Sequence, residues 1–324
     1  MMGNFHGRIR TLALAALLAL CGCSDGKPET TRIVLSDVRV PGSLPVYVAL
    51  EKGIFRRHGL EVTLASHGTG KETIEEVASG RAQAATAADV PVALAILDGK
   101  KFTVVTAIAT TDTSNAIVIR RDRVRGDDLR GKRVGFTPGT TADYFLDTFL
   151  LLRRLPREAV IRVPLKADEQ VAALRDGKID ALSTWHPYIL QAAAAVADGV
   201  EVRTERDFVD TVYCLVLDTN FVEKNPGAVR RLVQALRQAV AYTRGNSGPS
   251  AEILSRYIPI PDPAAMKGYH YDVTLEQSLL INMSNEYAWA KRAGYYTGPS
   301  PDFTRYLHSR TLESIDPDLV SVIR

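Results

Sequence analysis

From Arg32 onward the apolar positions switch repeatedly between two periods. Arg32-Ile33-Val34-Leu35-Ser36 is a short β-branched run and Leu60-Glu61-Val62-Thr63-Leu64 alternates, so both predict strands. Between them an apolar stretch from Val46 to Leu50 predicts a helix that Ser43 can cap and Gly53 can stop. Glycine takes the left-handed position beyond a helix end without steric cost. The alternation continues with a helix over 71–79 closed by Gly80 and a strand over 82–85. A helix over 90–97 closed by Gly99 and a strand over 102–109 follow. Such alternation implies parallel strands flanked by helices. After Asn220 the pattern turns helical. The stretch 226–243 places Val229, Leu232, Val233, Leu236 and Val240 on one face, and further helices are expected over 274–293 and 302–308.

The pattern also repeats itself. Val77-Ala78-Ser79-Gly80-Arg81-Ala82-Gln83-Ala84 is followed by Asp89-Val90-Pro91 and an Ala-rich helix ending in Asp98-Gly99. Ala173-Leu174-Arg175-Asp176-Gly177-Lys178-Ile179-Asp180-Ala181 is followed by Trp185-His186-Pro187 and an Ala-rich helix ending in Asp198-Gly199. Two similar helix–strand–helix units predict two lobes of similar topology. The β-branched segment around Ala116-Ile117-Val118-Ile119 and its later counterpart 211–217 read as strands crossing between lobes. The chain is thus expected to form lobe one from 32–114 and 212–324, and lobe two from 115–211.

The first 22 residues read as a leader rather than as fold. His6, Arg8 and Arg10 precede TLALAALLAL, an apolar run too short for the roughly 20 residues that span a bilayer and suited to a signal peptide. Leu20-Cys21-Gly22-Cys23 resembles the bacterial lipoprotein box, with Cys23 as the acylated residue and 23–31 as a tether. The alternative is a plain secretory signal cleaved at a small residue. Either way the protein is expected to be exported, with lipidation anchoring it to a membrane.

The composition is globular, with 46% hydrophobic and 24% charged residues in 324. A formal net charge of +3, without a basic stripe, offers no electrostatic case for nucleic-acid binding. Beyond the tether the only cysteine is Cys214, in an apolar strand pattern that suits a small hydrophobe.

Several chemistries drop out on spacing. His67-Gly68-Thr69-Gly70-Lys71-Glu72 looks like a phosphate loop, but Ala65 stands where its first glycine is needed and Glu72 where Ser or Thr is needed. Thr73 likewise breaks the dinucleotide pattern. The histidines show no metal spacing and no Gly-x-Ser-x-Gly elbow occurs, so no metal, cofactor or catalytic residue is expected. Three loops at predicted strand ends remain, where open α/β sheets hold ligands. In Gly139-Thr140-Thr141-Ala142-Asp143, Thr140 and Asp143 form a capping pair and Gly139 lets a ligand approach the amides of a helix start. Trp185-His186-Pro187 presents a flat apolar face and a polar edge. Ala88-Asp89 is its counterpart in the first unit.

Val48-Ala49-Leu50-Glu51-Lys52-Gly53-Ile54-Phe55 with His58-Gly59-Leu60-Glu61-Val62 resembles the solute-binding proteins of nitrate, sulfonate and taurine importers. Leu129-Arg130-Gly131-Lys132-Arg133-Val134-Gly135 and the segment from Ala173 to Ala181 match the same family. The resemblance, over roughly 32–240, implies the α/β, two-lobed type II periplasmic-binding-protein fold, with mostly parallel sheets and two crossover strands. It implies an ABC permease and ATPase as partners and a small, anionic solute in the interlobe cleft. The site residues it implies are Ser43 and Leu44, Ala88 and Asp89, Thr110 and Thr111, Gly139, Thr140 and Thr141, Trp185 and His186, and Tyr213 on the return strand. Taurine binders of the family offer a carboxylate to the amine; here that strand carries Tyr213. Two other readings stay open: a ligand-sensing lipoprotein, and a thiamine-pyrimidine synthase-like enzyme of the same fold.

Overall fold

The computed structural model describes residues 30–196, 199–206, 210–259 and 267–323. The leader and its Cys23, most of the tether, and Asp198 of the second repeat lie outside the described residues. Residues 31–324 form one compact unit.

The chain begins with β1 (Thr31–Asp37), α1 (Leu44–Glu51), α2 (Ile54–Arg57), β2 (Leu60–Ser66), α3 (Gly70–Ala78), β3 (Ala84–Ala88), α4 (Asp89–Leu97) and β4 (Thr103–Thr111). A second group follows: β5 (Asn115–Arg120), β6 (Arg133–Phe136), α5 (Thr141–Leu152), β7 (Ile161–Pro164), α6 (Gln170–Arg175), β8 (Ala181–Trp185), α7 (Tyr188–Ala195) and β9 (Val200–Arg203). The chain then returns through β10 (Thr211–Leu217), α8 (Thr219–Lys224), α9 (Pro226–Gly245), α10 (Ser247–Tyr257), β11 (Tyr269–His270), α11 (Gln277–Ala293) and α12 (Arg310–Ile315).

Two sheets result. One has the order β11-β4-β10-β3-β1-β2 and the other β7-β6-β8-β5-β9. The sheets are mixed rather than mostly parallel. Within the βα units the pairings are parallel, as expected: β1 with β2 and β3, and β6 with β7 and β8. Every antiparallel pairing involves a crossing or returning strand. β10 runs against β3 and β4, β11 against β4, and β5 against β8 and β9. Helical patterning predicts the parallel units, but the direction of a strand that arrives from the other half is set by topology. The crossings are tied together where they meet. Ser114 Oγ donates to Thr211 Oγ1 at 3.1 Å and Asn115 Nδ2 does so at 3.1 Å.

Local boundaries follow from hydrogen bonding. α3 starts with a true capping box, Thr69 accepting from Glu72 N while Glu72 accepts from Thr69 N. Gly53 sits at φ 63°, which explains why α1 cannot continue. β3 begins at Ala84 rather than at Ala82, because the amides of Arg81 and Ala82 turn back onto the Glu76 carbonyl. The helix expected over 274–293 begins at Gln277, since the Thr274 carbonyl is taken by the Ala107 amide. The helix expected over 302–308 is only a 3-10 turn, Phe303–Tyr306. Beyond it the His308 amide donates to the Val104 carbonyl and the backbone lies along β4. The apolar face of α9 is buried as its period requires, with Val229, Leu232, Val233, Leu236 and Val240 in the larger core. Cys214 is buried in that core too, and burial pushes its thiol well above its ordinary range.

Candidate functional site

The two repeated units meet at their strand ends. Ala88 closes β3 and Trp185 closes β8, and both line one cavity of about 30 Å³, room for about two water molecules. The half built on the first sheet adds Val38 and Val40 after β1, Thr69 and Gly70 at the start of α3, Pro91 on α4, and Tyr213 on β10. The other half adds Thr140 and Thr141 at the start of α5. Trp185 is 5% exposed, belongs to the core cluster of the first-sheet half, and meets Tyr188 edge-on with centroids 5.4 Å apart. It therefore packs across the seam and walls the cavity at once. Beside the cavity, and sharing Thr69 and Thr140 with it, lies an open groove of about 1030 Å³ lined among others by Lys71, Lys166, Asp168 and Tyr188.

Of the residues expected from sequence, Ala88, Thr140, Thr141, Trp185 and Tyr213 line the cavity together. The others stand behind it. Leu44 is fully buried in the core. Ser43 donates to Thr86 Oγ1 at 3.1 Å, which in turn donates to Asp37 at 2.8 Å; Tyr47 donates to the same carboxylate at 2.6 Å. Ser43 makes no side-chain cap to α1, although the sequence suggested one. Thr110 and Thr111 are held between β10 and β11, and the Thr111 hydroxyl bonds that of Thr113 at 3.0 Å. Asp89 faces away: its carboxylate accepts from Val90 N and Val212 N, both at 3.0 Å, and from Asn282 Nδ2 at 2.9 Å. Burial pushes its pKa up to about 6. His186, joined to Pro187 by a cis peptide, is mostly buried and leaves Nδ1 without a partner among the described residues. Burial lowers its pKa to about 4, so the ring is neutral near pH 7.

The expected capping pair at α5 is arranged differently. Thr140 donates to the Thr137 carbonyl at 2.7 Å and does not cap its helix. Asp143 instead accepts from the Gly139 amide at 3.0 Å, and that amide also donates to the Tyr295 hydroxyl at 3.0 Å. The Gly139 N–H is thus already satisfied by protein. Thr141 makes no side-chain hydrogen bond among the described residues, which leaves its hydroxyl for the cavity.

Sequence reading missed Val38, Val40, Thr69, Gly70 and Pro91 as lining residues. One signal was present. Gly70 belongs to the glycine-rich stretch that fails as a phosphate loop, and a Cβ there would stand 2.8 Å from Pro91 Cγ. Its glycine serves close packing of α3 on α4. None of the lining residues carries an ionisable group apart from the Tyr213 phenol, which burial pushes up to about 12. The polar side-chain groups of the lining are therefore the hydroxyls of Thr69, Thr140, Thr141 and Tyr213 and the indole N–H of Trp185. No cluster of three or more potential metal ligands occurs among the described residues.

The chain is 24% identical over 258 residues to a Bacillus subtilis protein named as an aliphatic sulfonates-binding protein, covering 77% of each chain. Its fold matches the alkanesulfonate-binding protein of Xanthomonas axonopodis pv. citri solved with MOPS (TM-score 0.72, 17% identity, 83% of this chain and 96% of that one). It also matches the periplasmic nitrate-binding protein of Synechocystis (TM-score 0.69, 16% identity, 90% of this chain and 89% of that one). These likenesses establish the two-lobed periplasmic-binding fold. The family model described as NMT1/THI5 like matches residues 40–247, well over half of the sequence, and the chain belongs to that family.

Proposed function

We propose that this protein is the extracytoplasmic solute-binding component of an ABC importer. On this reading it takes a small organic oxyanion, of which an alkanesulfonate is the simplest, into the cleft and passes it to a permease and its ATPase. The observation that carries the reading is the shared cavity: Thr140, Thr141 and Trp185 from one half face Thr69, Ala88 and Tyr213 from the other. A solute touching both walls binds the closed arrangement better than the open one and shifts the population accordingly. The Thr141 hydroxyl, without a partner among the described residues, suits a monoanion whose charge is spread over several oxygens, and a bond to such an acceptor is stronger than a neutral one; the Thr140 proton is already given to the Thr137 carbonyl. The adjoining groove, with Tyr188 and Leu165 on its wall, has room for an organic tail. The named ligands of the relatives support the class. No acidic side chain lines the cavity, whereas Glu72, Glu75, Asp168 and Glu169 line the adjoining groove, so only a solute whose tail enters the groove meets carboxylates. The protein is a binder and not an enzyme. The leader, with its resemblance to a lipoprotein box at Cys23, supports export and a lipid anchor.

Titration calorimetry with methanesulfonate, taurine and nitrate tests this. Methanesulfonate is expected to bind, and Thr141→Val to weaken the binding; taurine binding more tightly than methanesulfonate would mean that the groove carboxylates receive its ammonium. If none of these solutes binds while an uncharged heterocycle does, the oxyanion reading is wrong.

A further inference from the structure

The C-terminal end of α11 and the residues after it bridge the two helices that carry the cavity walls. α4 begins directly after Ala88 and carries Pro91; α5 begins with Thr141. Separating the walls therefore separates the starts of these two helices. Trp289 is buried in one cluster with Val90 and Leu97 of α4, and its ring also meets Tyr144 of α5 edge-on, with centroids 5.4 Å apart. Its Nε1 donates to Asp147 of α5 at 2.7 Å. Tyr295 packs against Trp289, centroids 5.2 Å apart, and donates to Asp143, one turn before Asp147. Arg162 of β7 pairs with both carboxylates and lies over the Phe136 ring at 4.1 Å, so the acceptors are fixed on their own half. Burial and the neighbouring carboxylate hold the Tyr295 phenol above its ordinary range, which keeps it a donor.

We infer that Trp289 and Tyr295 form a latch that holds the cleft closed, and that Tyr295 is a positioning residue for the ligand loop. Its hydroxyl is shared between Asp143 and the Gly139 amide, and Gly139 leads directly into Thr140 and Thr141 on the cavity wall. Neither residue lines the cavity, so the pair sets affinity through the open–closed balance and not through contact with solute. A hydrogen bond to a buried carboxylate is strong enough that losing it shifts such a balance by about tenfold. The inference rests on the cleft being the binding site, but closure can be read without any ligand.

The test compares full-length wild type, Tyr295→Phe and Trp289→Phe, with Val222→Ala as a control that loosens the core of α8 away from the latch. Two quantities are measured without added solute: the radius of gyration by small-angle scattering, and hydrogen exchange at the amides of Gly139 and Tyr144. The latch variants are expected to be larger in radius and to exchange faster at these amides by roughly tenfold. The control should lose melting temperature without either change. In a second arm, methanesulfonate should leave the latch variants faster while its association rate is kept. If the latch variants match wild type in radius and exchange, or differ no more than Val222→Ala does, the latch is refuted. If they open as expected but wild type binds no methanesulfonate, the latch stands and the ligand assignment fails.

Discussion

Gly42 lies against the ring of Tyr213 so closely that a Cβ on Gly42 would stand 2.3 Å from Tyr213 Cδ2. No side chain fits there unless the ring moves, and the ring is a wall of the cavity. It stacks on Tyr269, which stacks on Tyr271, so a displaced Tyr213 has little room to retreat. Gly42→Ala is therefore expected to cost about 1–3 kcal/mol of stability, as overpacking does, and to weaken solute binding as well. Calorimetric melting and titration check both. A double variant with Tyr213→Ala should be less destabilised than the two single losses add up to, because the clash is then absent.

The two tryptophans should report different events, Trp185 solute contact and Trp289 closure. Trp185 walls the cavity, whereas Trp289 is buried behind it with its Nε1 bound to Asp147. Trp289→Phe should keep an emission change on adding a solute that binds by calorimetry. Trp185→Phe should keep only the part that Trp289 reports as the latch closes. Trp185→Ala should also melt earlier, by the equivalent of about 3–5 kcal/mol, because its ring is part of the larger core. A Trp289→Phe protein whose emission does not respond to a solute that binds by calorimetry would place the solute elsewhere.

A buried acid pair should give stability an unusual pH slope. Glu286 of α11 is buried beside Asp89, and burial followed by the Asp89 charge pushes its carboxyl well above the ordinary range; Asp89 itself lies at about 6. Both folded-state values exceed the unfolded ones, so the folded chain keeps protons that the unfolded chain releases. This contribution is fully present below about pH 4 and is lost as pH rises through 6 and beyond. Each tenfold excess of proton affinity in the folded chain over the unfolded one is worth about 1.4 kcal/mol. Glu286→Gln should flatten the decline. Melting temperatures between pH 4 and 8 that run parallel for variant and wild type would contradict it.

The leader makes a separate prediction. Acyl chains on Cys23 would contribute about 0.8 kcal/mol per buried CH₂, enough for stable anchoring when several chains are present. Wild type should sediment with membranes, and Cys23→Ser should remain uncleaved or become soluble. A soluble wild type whose mature N-terminus is a residue other than Cys23 would mean a plain secretory signal.

Much of this protein was legible from local pattern. Period-two runs and apolar helix faces placed β1, β2, β10 and α9 within a residue or two, because each buries a side whose periodicity the chain itself carries. The repeat between residues 77–99 and 173–199 anticipated that Ala88 and Trp185 occupy equivalent strand ends, and both do reach one cavity. Tertiary structure decided what no local pattern encodes. The antiparallel pairings of β5 and β10 depend on the chain crossing between halves. Asp89 turns from the cavity toward the Val212 amide and Asn282, 123 and 193 residues away, which donate to its buried carboxylate. Gly139 is closed to an anion because Tyr295, 156 residues on, already accepts its N–H. Capping followed the same division. Thr69 and Glu72 close their box within one turn, whereas Asp143 is drawn off by Arg162 and Tyr295, whose positions only the folded chain determines.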